Sequence, residues 1–125
     1  MMQPDRGTVD RGLWVGLAGL MAARIAGCDP IIAVDRLPSR LALARELGAT
    51  HTLESRGAET LAEIRRITGG GTDFALETSA VPTVFRLAVD GLRSLGTCIL
   101  VGSARAGTEV SFEMPWLRAA GPCAA

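Results

Sequence analysis

Short, unbroken apolar runs alternate with segments of helical period along this chain, and that alternation restricts its fold more than any other feature. Ile31-Ile32-Ala33-Val34 follows Asp29-Pro30 as a continuous apolar run, the pattern of a strand covered on both faces. Asp73-Phe74-Ala75-Leu76-Glu77 and Thr97-Cys98-Ile99-Leu100-Val101 read the same way, and His51-Thr52-Leu53-Glu54 reads as a weaker strand nearer a sheet edge. Between them the period changes to that of helices. Leu37 to Leu47 puts Leu37, Leu41, Ala44 and Leu47 on one face, with Gly48 as a stop signal. Thr60 to Ile67 aligns Leu61, Ile64 and Ile67, and Val81 to Leu92 carries Pro82 near its first turn and turns Val84, Leu87, Ala88 and Leu92 inward. Trp14 to Ala26 is apolar nearly all round, which predicts a helix lying beneath other elements. Strands alternating with helices of this length define an α/β fold with a doubly wound parallel sheet.

Composition narrows the class further. A chain of 125 residues, 48% hydrophobic and of zero formal net charge, has the size and apolarity of one folded domain. Its 13 positive charges are all arginines, scattered among 13 acids. No basic stripe is offered to nucleic acid or an anionic membrane surface. Cys28, Cys98 and Cys123 are odd in number and far apart, which supports neither a disulfide framework nor a zinc site and suits a reducing cytoplasm. The first seven residues hold no apolar core of a secretory signal. Leu13 to Ala26 is too short to span about 30 Å of hydrocarbon. The expected organisation is a degraded first strand and glycine loop over residues 1–13, a Rossmann-like nucleotide-binding domain over 14–114, and an irregular tail over 115–125.

In a dinucleotide-binding fold, glycines after the first strand let a pyrophosphate approach a helix N-terminus. An acid about 20 residues on, closing the second strand, hydrogen-bonds the adenosine ribose. Here Gly16 opens the first helix and Asp35 closes the Ile31–Val34 run, 19 positions later. Arg36 could receive a 2′-phosphate, but Asp35 would repel it, so the pair favours NAD over NADP. Asp35 could instead cap the helix that begins near Pro38. The glycine fingerprint itself is spoiled. Its window reads Arg11-Gly12-Leu13-Trp14-Val15-Gly16, with a leucine where the pyrophosphate would lie. Gly16 and Gly19 could serve only close helix–strand packing. Gly7-Thr8-Val9-Asp10, where the central strand should be, has one large apolar residue. The sheet is therefore expected to be incomplete at its first strand, leaving its neighbours unpaired and the chain prone to self-association.

With these segments in hand, the chain resembles the nucleotide-binding half of the zinc-dependent, medium-chain alcohol dehydrogenases, and most of all their aryl- or benzyl-alcohol branch. The carrying residues are Val15-Gly16-Leu17-Ala18, Met21 to Cys28, Ile31 to Arg36, Ser39-Arg40-Leu41, Glu46 to His51, Thr68 to Thr78 and Leu100-Val101-Gly102, in that order. The resemblance implies that NAD is the cofactor. It further implies that Asp35 binds the adenosine ribose and that Arg40 lies near the adenine. Val15 and Gly16 would offer N–H groups to the pyrophosphate, while Thr78 and Ser79 border the nicotinamide ribose. Val101, Gly102 and Ser103 would meet the nicotinamide amide through their backbone.

The family's catalytic zinc, which polarises the alcohol oxygen, is held by a separate domain whose ligands have no counterpart here. No catalytic or metal-ligating residue is therefore assigned. The family's last strand, used for dimerisation, should follow Val110–Met114, but the chain runs instead into Pro115-Trp116 and ends. This reads as a truncated dehydrogenase that is inactive alone, whose partners are NAD(H) and either a separate catalytic-domain chain or a second copy. A non-catalytic Rossmann-like module that has lost its cofactor is the alternative. A methyltransferase, which also uses a glycine loop and an acid after the second strand, ranks below both.

Overall fold

The computed structural model describes residues 7–10 and 14–114. The chain runs β1 (Gly7–Asp10), α1 (Trp14–Ile25), β2 (Ile31–Asp35), α2 (Pro38–Leu47), β3 (His51–Glu54), α3 (Ala58–Thr68), β4 (Thr72–Glu77), α4 (Pro82–Asp90) and β5 (Leu92–Leu100). The strands form one parallel five-stranded sheet in the order β3-β2-β1-β4-β5. This is the doubly wound arrangement expected of the alternating pattern.

The sheet's two faces are covered by different helices, and the strand sequences show why. Along β2 successive side chains point to opposite sides. Ile31 and Ala33 join Leu20, Ala23, Leu41, Ala44 and Leu76 beneath α1 and α2. Ile32 and Val34 join Ile64 of α3, with Leu53, Ile67 and Leu87 packed around them. Ala75 of β4 turns to Ala88 and Leu92. Every residue of β2 is buried, as its unbroken apolar run requires. Fully burying side chains such as Ile31, Ile32 and Ile64 stabilises the fold by about 1.5–3 kcal/mol each.

Three expectations are corrected. The first strand is in place: Gly7–Asp10 lies at the centre of the sheet, paired with β2 on one side and β4 on the other. Its main-chain groups find partners on both flanks, so its position follows from backbone pairing rather than from an apolar sequence. β2 and β4 therefore each have β1 as a neighbour, and no unpaired strand edge at the sheet centre invites self-association. Second, α4 stops at Asp90 and Leu92 begins β5, although Leu92 continues the helical spacing of Val84 and Ala88. Third, α1 is not covered all round. Leu20 and Ala23 are buried, but Met21 is 46% and Ile25 87% exposed.

His51–Glu54 is an edge strand, as expected. Leu37, placed on the inner face of its helix by period, precedes α2 and is exposed. Arg11, Gly12 and Leu13 of the glycine-loop window, and the tail over 115–125, lie outside the described residues.

Candidate nucleotide-binding site

Parallel strands all end on the same side of the sheet, so their carboxyl ends and the following loops form one rim. In an open doubly wound sheet, ligands bind outside that rim at the point where the chain reverses the direction of strand addition. Here the reversal falls between β1 and β4, the strands from which the chain winds outward on either side. Asp35, Glu77 and Leu100 close β2, β4 and β5 on this rim, and α1 begins beyond the end of β1.

Asp35 is 5% exposed. One carboxylate oxygen accepts a hydrogen bond from the Leu37 N–H at 3.0 Å, and the other lies 3.7 Å from Nη1 of Arg40 on α2. Asp35 does not cap α2, whose N-cap is Leu37 without a side-chain cap hydrogen bond; it anchors the turn that leads into that helix. The carboxylate nonetheless stays at the end of β2, with Arg40 half-buried beside it and Arg36 exposed. Val15 and Gly16 sit in the first turn of α1, where helix N–H groups lack intrahelical acceptors. Gly16 is buried, and no acid occupies that turn to compete with an anion. Gly19, one turn further, packs on β4: a Cβ there would run into the Leu76 side chain. The packing reading holds for Gly19.

At the other end of the rim, two loops meet. Residues 78–80 follow β4, and Val101, Gly102 and Ser103 follow β5. The Val101 and Gly102 N–H groups both donate to the Glu77 carbonyl, at 2.8 and 3.3 Å. Their carbonyls are then what they can turn toward a ligand amide. Ser79 donates its hydroxyl to Oε1 of Glu77 and accepts from the Val81 N–H at 3.2 Å. A Cβ on Gly102 would stand 2.6 Å from the Ala80 nitrogen and 2.9 Å from the Thr78 oxygen. Only glycine lets the loops approach this closely. Thr78 and Ser79 are half-buried, and Val101 and Ser103 are exposed.

Sequence reasoning passed over Glu77, treating it as the end of a strand. It is wholly buried, and its carboxylate also takes the N–H groups of Ser79 at 2.7 Å and Ala80 at 3.0 Å. The available signal was a carboxylate closing an apolar run directly before a loop of small residues.

Asp35 and the end of β5 are three strand spacings apart, roughly 14 Å at about 4.8 Å per spacing. A carboxylate at one end, a helix N-terminus between, and a glycine-lined junction with backbone carbonyls at the other end make a rim long enough for two nucleosides joined by a pyrophosphate. A zinc ion finds no such place. Among the described residues no three His, Cys, Asp or Glu side chains gather to hold a metal. Cys28 is buried behind α1, and Cys98 packs under α4. His51 Nδ1 is hydrogen-bonded to the Thr50 hydroxyl at 2.9 Å.

Fold and rim together are those of a doubly wound domain of dinucleotide-binding type. Residues 15–120 match the zinc-binding dehydrogenase family, and the chain belongs to that family. Among solved structures, the zinc-binding domain protein of alcohol dehydrogenase type from Burkholderia ambifaria is 45% identical with a TM-score of 0.86, over 94% of this chain and 32% of that one. Benzyl alcohol dehydrogenase from Acinetobacter calcoaceticus is 38% identical with a TM-score of 0.88, over 95% of this chain and 33% of that one. (R,R)-butanediol dehydrogenase of Bacillus subtilis strain 168 is 36% identical over 77% of this chain and 28% of its own length. The chain thus spans about a third or less of these relatives and corresponds to the nucleotide-binding domain of a zinc-type alcohol dehydrogenase. No helix among the described residues is long and apolar enough to cross a membrane.

Proposed function

We propose that this chain binds NAD(H) along the carboxyl rim of its sheet, as the cofactor half of an enzyme that oxidises an alcohol to an aldehyde by hydride transfer. The observation that carries the reading is the Asp35 carboxylate, held at the end of β2 on the rim that α1 also faces. The proposed contacts are Val15 and Gly16 to the pyrophosphate, Asp35, Arg36 and Arg40 at the adenosine end, Thr78 and Ser79 at the nicotinamide ribose, and Val101, Gly102 and Ser103 at the amide.

Asp35 would take hydrogen bonds from the ribose hydroxyls and, through its charge, disfavour a 2′-phosphate. This selects NAD over NADP even with Arg36 exposed beside it. Arg40, half-buried against Asp35, would pack along the adenine. The N–H groups opening α1 would face the pyrophosphate with the positive end of the helix. When bound, NAD supplies the hydride acceptor. The residues of this rim bind and orient, and none of them is placed to polarise an alcohol oxygen. Chemistry therefore requires a zinc-bearing partner domain, and the chain alone should not turn over. Cys28 and Cys98, as thiols, suit a reducing, cytoplasmic setting.

Calorimetric titration with NAD and NADP tests this. Millimolar or tighter NAD binding, weaker NADP binding, and weakened NAD binding with loss of the preference for NAD over NADP in Asp35→Ala are expected; no heat with either nucleotide would sink the reading. One observation favours the rival reading, a non-catalytic module without cofactor: Asp35 already has a structural duty on the Leu37 N–H. That module would show no heat with NAD while keeping a cooperative melt.

A further inference from the structure

Glu77 closes β4 with its side chain wholly buried, and it holds two loops at once. Its carboxylate takes the Ser79 N–H at 2.7 Å, the Ser79 hydroxyl and the Ala80 N–H at 3.0 Å. Its main-chain carbonyl takes the N–H groups of Val101 and Gly102. No arginine forms an ion pair with it among the described residues. A buried carboxylate is costly without donors, so the 78–80 loop cannot open without stranding it.

The clamp also holds a strained residue. Ala80 has φ +57°, a left-handed backbone that costs a residue with a Cβ about 1–2 kcal/mol. Gly102 packs against Ala80 so closely that a Cβ on it would lie 2.9 Å from the Ala80 Cβ. A strained backbone held by a buried acid persists where the surroundings over-determine it, and such places cluster at ligand sites.

We propose that Glu77 is a positioning residue that fixes the nicotinamide end of the site without touching the cofactor, independently of the adenosine end set by Asp35. The proposal rests on the reading that this rim binds a dinucleotide. In Glu77→Gln the shape is kept, but one carboxylate oxygen becomes an NH2 group. Either the Ser79 or the Ala80 N–H then faces a donor, and the loop shifts.

The test is calorimetry on the full 125-residue chain with two probes: NADH, which spans the rim, and AMP, which reaches only the adenosine end. Glu77→Gln should weaken NADH binding about tenfold or more and leave AMP binding within about twofold. Adding Ala80→Gly, which lowers the cost of the left-handed backbone, should recover part of the lost NADH affinity. Should Glu77→Gln fail to fold, Ala80→Val, which raises the cost of the left-handed backbone that Glu77 holds, should give the same division between the probes. Parallel losses for NADH and AMP, or no loss for either, would overturn the proposal and leave the dinucleotide reading standing. A wild-type chain that binds neither probe overturns the dinucleotide reading, and the role of Glu77 with it.

Discussion

Replacing Asp35 by asparagine separates its two roles. The carboxylate makes one bond to the Leu37 N–H, at 3.0 Å, and faces Arg40 across 3.7 Å. Asparagine keeps an oxygen for Leu37 and gives up the charge. The Arg40 side chain is 32% exposed, so solvent screens the ion pair, and losing it costs the fold at most about 1 kcal/mol. Alanine removes the acceptor as well and leaves the N–H of Leu37, a residue 46% exposed, to water, so the lost hydrogen bond costs about 0.5–1.5 kcal/mol. The demand from the cofactor is different. A ribose hydroxyl donating to a charged acceptor contributes about 1.5–3 kcal/mol, and each 1.4 kcal/mol is about tenfold in affinity. Asp35→Asn should therefore melt within about 4 °C of wild type and bind NAD at least about tenfold more weakly, whereas Asp35→Ala should be weakened in both stability and binding. Thermal melts followed by circular dichroism, with calorimetry on the same samples, make the comparison. Wild-type NAD affinity in Asp35→Asn would refute the ribose role and leave Asp35 a turn residue.

Other outcomes follow from the backbone and the core. Gly71→Ala should lower stability by about 3 kcal/mol or more, because its φ is +133° and a Cβ would stand 2.7 Å from both Arg93 Cα and the Leu92 carbonyl carbon; Gly69→Ala, at φ +67° with open space around it, should cost about 1 kcal/mol. Urea titration of the pair tests this, and equal costs would contradict it. Leu95 is 88% exposed with φ +63°, so Leu95→Gly should stabilise by roughly 0.5–1 kcal/mol, the relief of left-handed strain less the added chain entropy; a lowered melting temperature would argue against it. Burial pushes the Cys28 thiol above its ordinary pKa, so the folded chain should keep Cys28 unalkylated by iodoacetamide near pH 8 and lose that protection in urea, as read by peptide mass spectrometry. Rapid labelling of Cys28 in the native chain would contradict its packing behind α1.

Much of this architecture was legible because burial leaves a period in the sequence. Ile31–Val34 carries no polar residue, and only a strand covered on both faces tolerates that. Leu92 misled because it falls four residues beyond Ala88, so period alone extends α4. Gly91 and the pairing of Leu92 with Thr72 end the helix instead. Gly7–Asp10 was illegible for the opposite reason. Its place is set by main-chain bonds to β2 and β4, which side-chain character does not record. The exposed side of α1 was hidden by apolar residues that period cannot divide into covered and uncovered. At the candidate site, the 19-residue spacing pointed to Asp35, and the family resemblance proposed the loop residues. Glu77 escaped both, since no periodic signal says whether an acid ending a strand turns into a loop or out to water.

The central claim is that the carboxyl rim of this sheet binds a dinucleotide along its whole length. The most direct measurement is a titration of the isotopically labelled chain with NADH, followed by amide chemical shifts. The account predicts saturable shifts at Gly16, Asp35, Leu37, Thr78 and Gly102, with Thr72 and Arg93, at the amino ends of β4 and β5, unmoved. Shifts confined to other surfaces, or none at millimolar NADH, would contradict it.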